Sequence, residues 1–81
     1  MVAHLAVSAW SQESEEDAFK LARNLYRDAD YATTAGLFAA FIQNYPASEH
    51  LAAARLLLAR SYKNSQRCDL AVKAYATFYQ E

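Results

Sequence analysis

The stretch Tyr31-Ala-Thr-Thr34-Ala-Gly-Leu-Phe38-Ala-Ala-Phe41 decides the fold, because its pattern returns as Cys68-Asp-Leu-Ala71-Val-Lys-Ala-Tyr75-Ala-Thr-Phe78. Upstream of each copy, Leu21-Ala22 followed by Leu25 returns as Leu58-Ala59 followed by Tyr62. The offset is the same throughout (58 − 21 = 68 − 31 = 78 − 41 = 37). A fixed period between about twenty and fifty residues marks an architecture of stacked repeats. Each unit then buries its apolar face against a neighbour and leaves an extended surface for partners, so the pattern points to binding rather than chemistry.

Composition narrows the class. The chain has 81 residues and eighteen alanines, against one glycine and one proline. So few turn-forming residues argue against a hairpin-rich β fold and for helices. A net charge of −1 argues against an electrostatic nucleic-acid or membrane-surface binder. The one cysteine cannot form an internal disulfide. No apolar run approaches the roughly 20 residues of a membrane span, so no direct membrane insertion is expected. Residues 1–13, mildly apolar around Leu5, Val7 and Trp10, read as a leader or docking segment that folds back or swaps to cover an apolar face.

Four helices follow from the spacing of apolar positions. The first is expected from about Glu15 to Arg27, with Ser14 as N-cap and Glu15, Glu16 and Asp17 in the first turn, where the dipole favours acids. The second runs from Tyr31 to Asn44, capped from Asp28-Ala29-Asp30. Along it Tyr31, Thr34, Ala35, Phe38, Phe41, Ile42 and Tyr45 share one face. Pro46 stops it by forcing Tyr45 toward extended geometry. The third is expected from a Ser48 cap to about Lys63, and Asn64-Ser65-Gln66 turns the chain into a fourth beginning near Cys68. Gly36, inside the second helix, suggests a neighbouring helix passing close by. Short connections imply antiparallel neighbours.

The run Tyr31-x-x-Thr34-x-x-x-Phe38-x-x-Phe41-Ile42-x-x-Tyr45-Pro46-x-Ser48 resembles the tetratricopeptide repeat, and the second part, Ala54-x-x-x-Leu58-Ala59-Arg60-Ser61-Tyr62, continues the likeness. Within that family it is similar to the variant in bacterial envelope proteins, namely the periplasmic coordinator of the Tol–Pal machinery and the lipoprotein of the outer-membrane assembly machine. The resemblance covers about Glu15 to Tyr79. Thr34 stands where the family has alanine, and Cys68 where it has an aromatic. The resemblance implies an all-α domain of two stacked antiparallel helix pairs, a fragment of a right-handed α-solenoid. Repeat one spans 15–47 and repeat two 48–81, within a domain of residues 14–81. Small Ala22 and Ala59 would let paired helices approach, and Phe38 and Tyr75 would fill the space beside them. Repeat mates such as Leu21/Leu58 and Phe38/Tyr75 are then expected in corresponding environments.

The same resemblance implies that the first helices line a concave surface, with Glu16, Phe19, Arg23 and Tyr26 from repeat one and Ala53, Leu56, Arg60 and Lys63 from repeat two. Arg23 and Arg60 are equivalent, and a guanidinium beside aromatics suits the carboxylates of an extended peptide. The plainer reading is that both arginines are solvated and their stems cover apolar surface. The lysine and asparagine clamp of chaperone-binding repeats is missing, since Phe19 and Arg23 stand where it would begin.

His4, His50 and Cys68 lie on separate segments without ligand spacing. His50 reads as a surface residue of a first helical turn, and Cys68 as a small buried hydrophobe. No cofactor, metal or catalytic residue is expected, and no enzyme. Residues 1–30 carry six acids against three bases, and residues 51–81 five bases against two acids, giving −3 and +3. These opposite ends suggest head-to-tail contact between copies, and Tyr75, Phe78 and Tyr79 offer a face for self-association. The expected function is a protein–protein interaction or scaffold module that binds a peptide or partner protein. The alternative is a permanent structural subunit of a larger complex. The resemblance alone suggests the periplasm or cell envelope.

Overall fold

The computed structural model describes the backbone of residues 2–80 and the side chains of residues 15–80. It is all-α, with helices α1 (Val2–Arg27), α2 (Tyr31–Asn44), α3 (Leu51–Asn64) and α4 (Cys68–Gln80). Each helix packs on its predecessor, and α1 also reaches α3. Among the described residues no Cα pair within 8 Å joins α1 or α2 to α4. A closed four-helix bundle would bring α1 back beside α4, so the arrangement is an open stack instead. Its Cα extents of 45 × 28 × 16 Å leave room in the thinnest direction for about two helix layers.

The internal repeat is written in the turns as well as in the helices. At the end of α1, Asp30 N donates to Leu25 O and Ala29 N to Tyr26 O; at the end of α3, Arg67 N donates to Tyr62 O and Gln66 N to Lys63 O. These are matching Schellman closures, which satisfy the last carbonyls of a helix and need a left-handed residue just beyond it. That residue is Ala29 (φ 67°) in one copy and Gln66 (φ 65°) in the other, again thirty-seven apart (66 − 29). Asp30 then caps α2, its Oδ1 accepting from Thr33 N at 3.4 Å.

Phe19, Ala22, Phe38, Phe41 and Ala54 form the core, drawn from α1, α2 and α3. Phe38 and Ala54 have no exposed surface. The Phe19 ring meets Phe38 edge-on at 6.0 Å and Phe41 at 5.6 Å, geometries that favour aromatic quadrupoles. Thr34, in place of an alanine, is fully buried, and its hydroxyl donates to Asp30 O at 2.7 Å. Ser61 does the same toward Leu57 O. Bonding back to the preceding turn satisfies a buried hydroxyl without any partner from another helix.

Several expectations need correcting. α1 runs unbroken through Ser14, so no cap starts a helix there; the roles given to Leu5, Val7, Trp10 and His4 lie outside the described side chains. α3 begins three residues after Ser48, because the chain beyond Pro46 makes two tight turns first. Ser48 Oγ accepts from His50 N at 3.0 Å and braces that turn rather than the helix. Gly36 has nothing within 4 Å of where a Cβ would stand, so no helix passes close to it.

Equivalence between repeats holds at some positions and not at others. Ala22 and Ala59 are both fully buried, as are Thr34 and, at 5%, Ala71. Leu21, however, is 53% exposed whereas Leu58 packs on the core. Phe38 is buried and Tyr75 only half-buried. The reason is position in the stack: α2 and α3 have a neighbour on each side, while α1 and α4 each lack one.

Candidate functional site

The predicted groove residues do not all reach the surface. Phe19 is 5% exposed and belongs to the core, because the broad apolar stripe of α1 turns this ring toward α2 and α3. Tyr26 is half-buried against the core and meets Tyr31 edge-on at 5.5 Å. Leu56 is likewise half-buried. Glu16, Arg23, Ala53, Arg60 and Lys63 are exposed. Of the positions expected to line a groove, those that reach the surface are therefore charged residues and alanine, with Phe19 buried beneath them.

Arg23 keeps an aromatic partner nonetheless. Its guanidinium carbon lies 5.7 Å from the centroid of the Phe19 ring, within cation–π range. That contact covers one face of the arginine while its donors stay available to a carboxylate. Arg60, its equivalent, has Leu56 in the place of Phe19, so the two cations are matched in position but not in support.

His50 is the residue that sequence reasoning undervalued. It is the N-cap position of α3 without a side-chain cap bond, and it reaches back to α1. Its ring stacks on Phe19 at 4.2 Å and 11°, and Nε2 lies 3.1 Å from Glu16 Oε1. The partners are 34 positions apart, so no local pattern announces them. Glu16 is thus engaged with His50 rather than left open in the groove.

At the other end, Tyr75 and Tyr79 stack at 6.4 Å and 21°, with Tyr79 77% exposed. Phe78 is different from these two. It is half-buried and lines a cleft with Ser48, Glu49, Leu51, Ala52 and Arg55, whereas its mate Phe41 lies in the core. A second cleft is lined by Ile42, Arg55, Leu58, Ala74 and Thr77, where α2 and α4 diverge over α3. Cys68 is exposed, not buried, because it stands on the side of α4 that no helix covers.

Among the described residues no group of three or more His, Cys, Asp or Glu side chains could hold a metal ion, and no helix is long and apolar enough to cross a membrane. Comparison with protein-family models, with curated proteins and with solved structures finds no match in any of the three.

Proposed function

We propose that this chain is a protein–protein interaction or scaffold module of the tetratricopeptide type, binding a peptide or partner protein across its helical surface. The observation that carries this reading is the pair Arg23 and Arg60. They are equivalent cations one repeat apart on the first helices, and both are exposed. Spaced guanidiniums on a rigid layer suit an extended, carboxylate-bearing segment. Arg23, Arg60 and Lys63 supply the cationic contacts, Tyr26 and Leu56 the half-buried apolar ones. The resemblance of the repeat to envelope proteins suggests a place in a bacterial envelope assembly.

Charge reversal tests the reading. The double variant Arg23→Glu/Arg60→Glu, in which both side chains start exposed, should stay folded, losing only the cation–π contact with Phe19, about 0.5–1 kcal/mol. It should also lose the partner that the parent protein captures by crosslinking in its source cell. Unchanged capture with both cations reversed would refute the groove.

A permanent structural subunit is the second reading, and a specific observation favours it. Among the described residues, the exposed large hydrophobic side chains Leu21, Val72 and Tyr79 all lie on α1 and α4. Isolated protein that precipitates until a neighbouring subunit is supplied would support that alternative over reversible peptide binding.

A further inference from the structure

The repeat supplies an internal standard for what ought to be buried. The stripe Cys68, Val72, Tyr75 and Tyr79 runs along α4 with spacings of four, three and four, one continuous helical seam. Its mates thirty-seven residues earlier are Tyr31, Ala35, Phe38 and Ile42. Ala35 is 1% exposed and Val72 is 68% exposed; Ile42 packs on the core while Tyr79 is open. Helix α2 packs on both α1 and α3, whereas α4, among the described residues, packs on α3 alone. Ile42 shares a cleft with Leu58 and Arg55 of α3, which identifies α3 as the cover on that side. The molecule therefore contains both a covered and an uncovered copy of one surface, together with the helix that does the covering.

The face that α3 turns toward α2 reads Ala54, Leu57, Leu58, Ser61: small at i and i+7, large and apolar at i+3 and i+4. Ala54 and Ser61 are fully buried. The corresponding face of α1 reads Asp17, Lys20, Leu21, Asn24. Stacking a second copy head to tail would press an acid, a base and an amide onto Val72 and Tyr79, and burying unpaired polar groups is unfavourable. The polar face of α1 is thus unlike the apolar face that α3 offers. The expectation of head-to-tail copies, drawn from charge alone, gives way to this comparison of faces.

We infer that the Cys68–Val72–Tyr75–Tyr79 stripe is the docking site for one amphipathic helix of a partner protein, carrying the small–large–large–small face of α3 and acidic flanks. The acidic flanks follow from the basic end of the molecule, where Lys63, Arg67 and Lys73 are exposed and residues 51–81 carry +3. Val72 and Tyr79 are larger than Ala35 and Ile42, so the incoming helix needs its small positions opposite them. The inference rests on the interaction-module reading but uses a different surface from the Arg23/Arg60 groove.

The probe is a synthetic peptide of residues 51–64 with Arg55→Glu, Arg60→Glu and Lys63→Glu, added to the full chain. Cys68 is the sole cysteine and stands on the stripe, so its alkylation rate by iodoacetamide reports occupancy. Saturating peptide should slow alkylation about tenfold or more, in proportion to a binding isotherm read by calorimetry. Val72→Glu, at an exposed position that leaves the fold intact, should weaken binding by at least about tenfold, while Arg23→Glu/Arg60→Glu should leave it unchanged. No binding, or binding with unaltered Cys68 reactivity, overturns the inference yet leaves the groove reading standing. Concentration-dependent protection of Cys68 without peptide, abolished by Val72→Glu, overturns it in favour of a second copy as occupant.

Discussion

The imidazole of His50 lies flat on the phenyl ring of Phe19, centroids 4.2 Å apart and planes 11° from parallel. This contact ties the start of α3 to α1. It makes the core a three-helix structure rather than two independent hairpins. Because Glu16 holds the outer edge of the same ring at 3.1 Å, the two contacts can be separated by substitution. Glu16 is half-exposed, so Glu16→Gln should cost less than about 1 kcal/mol. His50→Ala also loses the stacking on Phe19, about 0.5–1.5 kcal/mol. Urea denaturation of both variants and the double variant tests this; equal losses would show that the stacking contributes nothing.

Phe38 has no exposed surface and touches the ring of Phe19. Phe38→Ala should destabilise by about 3–5 kcal/mol. Tyr75→Ala, at the half-buried mate, should cost clearly less. Equal losses at the two positions would mean that α2 and α4 are equally enclosed, contrary to the exposures of Phe38 and Tyr75.

Ala22 and Ala59 are fully buried where paired helices meet. Ala59→Leu should cost about 1–3 kcal/mol through overpacking. A thermal melt with an unchanged midpoint would place the close approach of α3 somewhere else.

Gly36 lies exposed inside α2 with open space where its Cβ would be. Gly36→Ala should therefore stabilise the domain by about 1 kcal/mol, the helix-propensity difference alone. A lower melting temperature would reveal a close neighbour.

Ala29 and Gln66 hold left-handed backbone without being glycine. Ala29→Gly and Gln66→Gly should each raise stability, by about 0.5–1 kcal/mol, by relieving the Cβ clash of that conformation. Calorimetric melts of the single variants would detect it, and a loss in either would mean that the gain of freedom in the unfolded chain dominates.

Much of the helical plan was legible in local chemistry. Helix α2 has the expected bounds because Asp30 caps its start and Pro46 closes its end. The end of α1 at Arg27 and the start of α4 at Cys68 were fixed by the repeated turn. The start of α3 at Leu51 is not readable locally, because Pro46 to His50 can make either a cap or two turns and only long-range packing chooses. Periodicity gives an apolar stripe along α1 but not which of its residues faces inward. Phe19 therefore lies in the core where the resemblance implies the concave surface, and Leu21 lies exposed where its mate Leu58 packs on the core. Cys68 departs from expectation for a related reason: its register matches a covered position on α2, but no described helix covers its side of α4. The engagement of Glu16 by His50 had no sequence signal, being a meeting of two turns distant along the chain.

The matched closures at Ala29 and Gln66 make Asp30 and Arg67 interchangeable junctions: at each, a first helix ends in the same left-handed turn and a second begins. A cassette running from residue 31 to residue 67 could therefore be spliced in again after Arg67, entering and leaving through geometry the chain already uses. Each such duplication would lengthen the molecule by one hairpin while its two ends kept their present character. Growth by whole units is thus open to this architecture, whereas insertion of a partial unit would break the phase of every apolar stripe downstream.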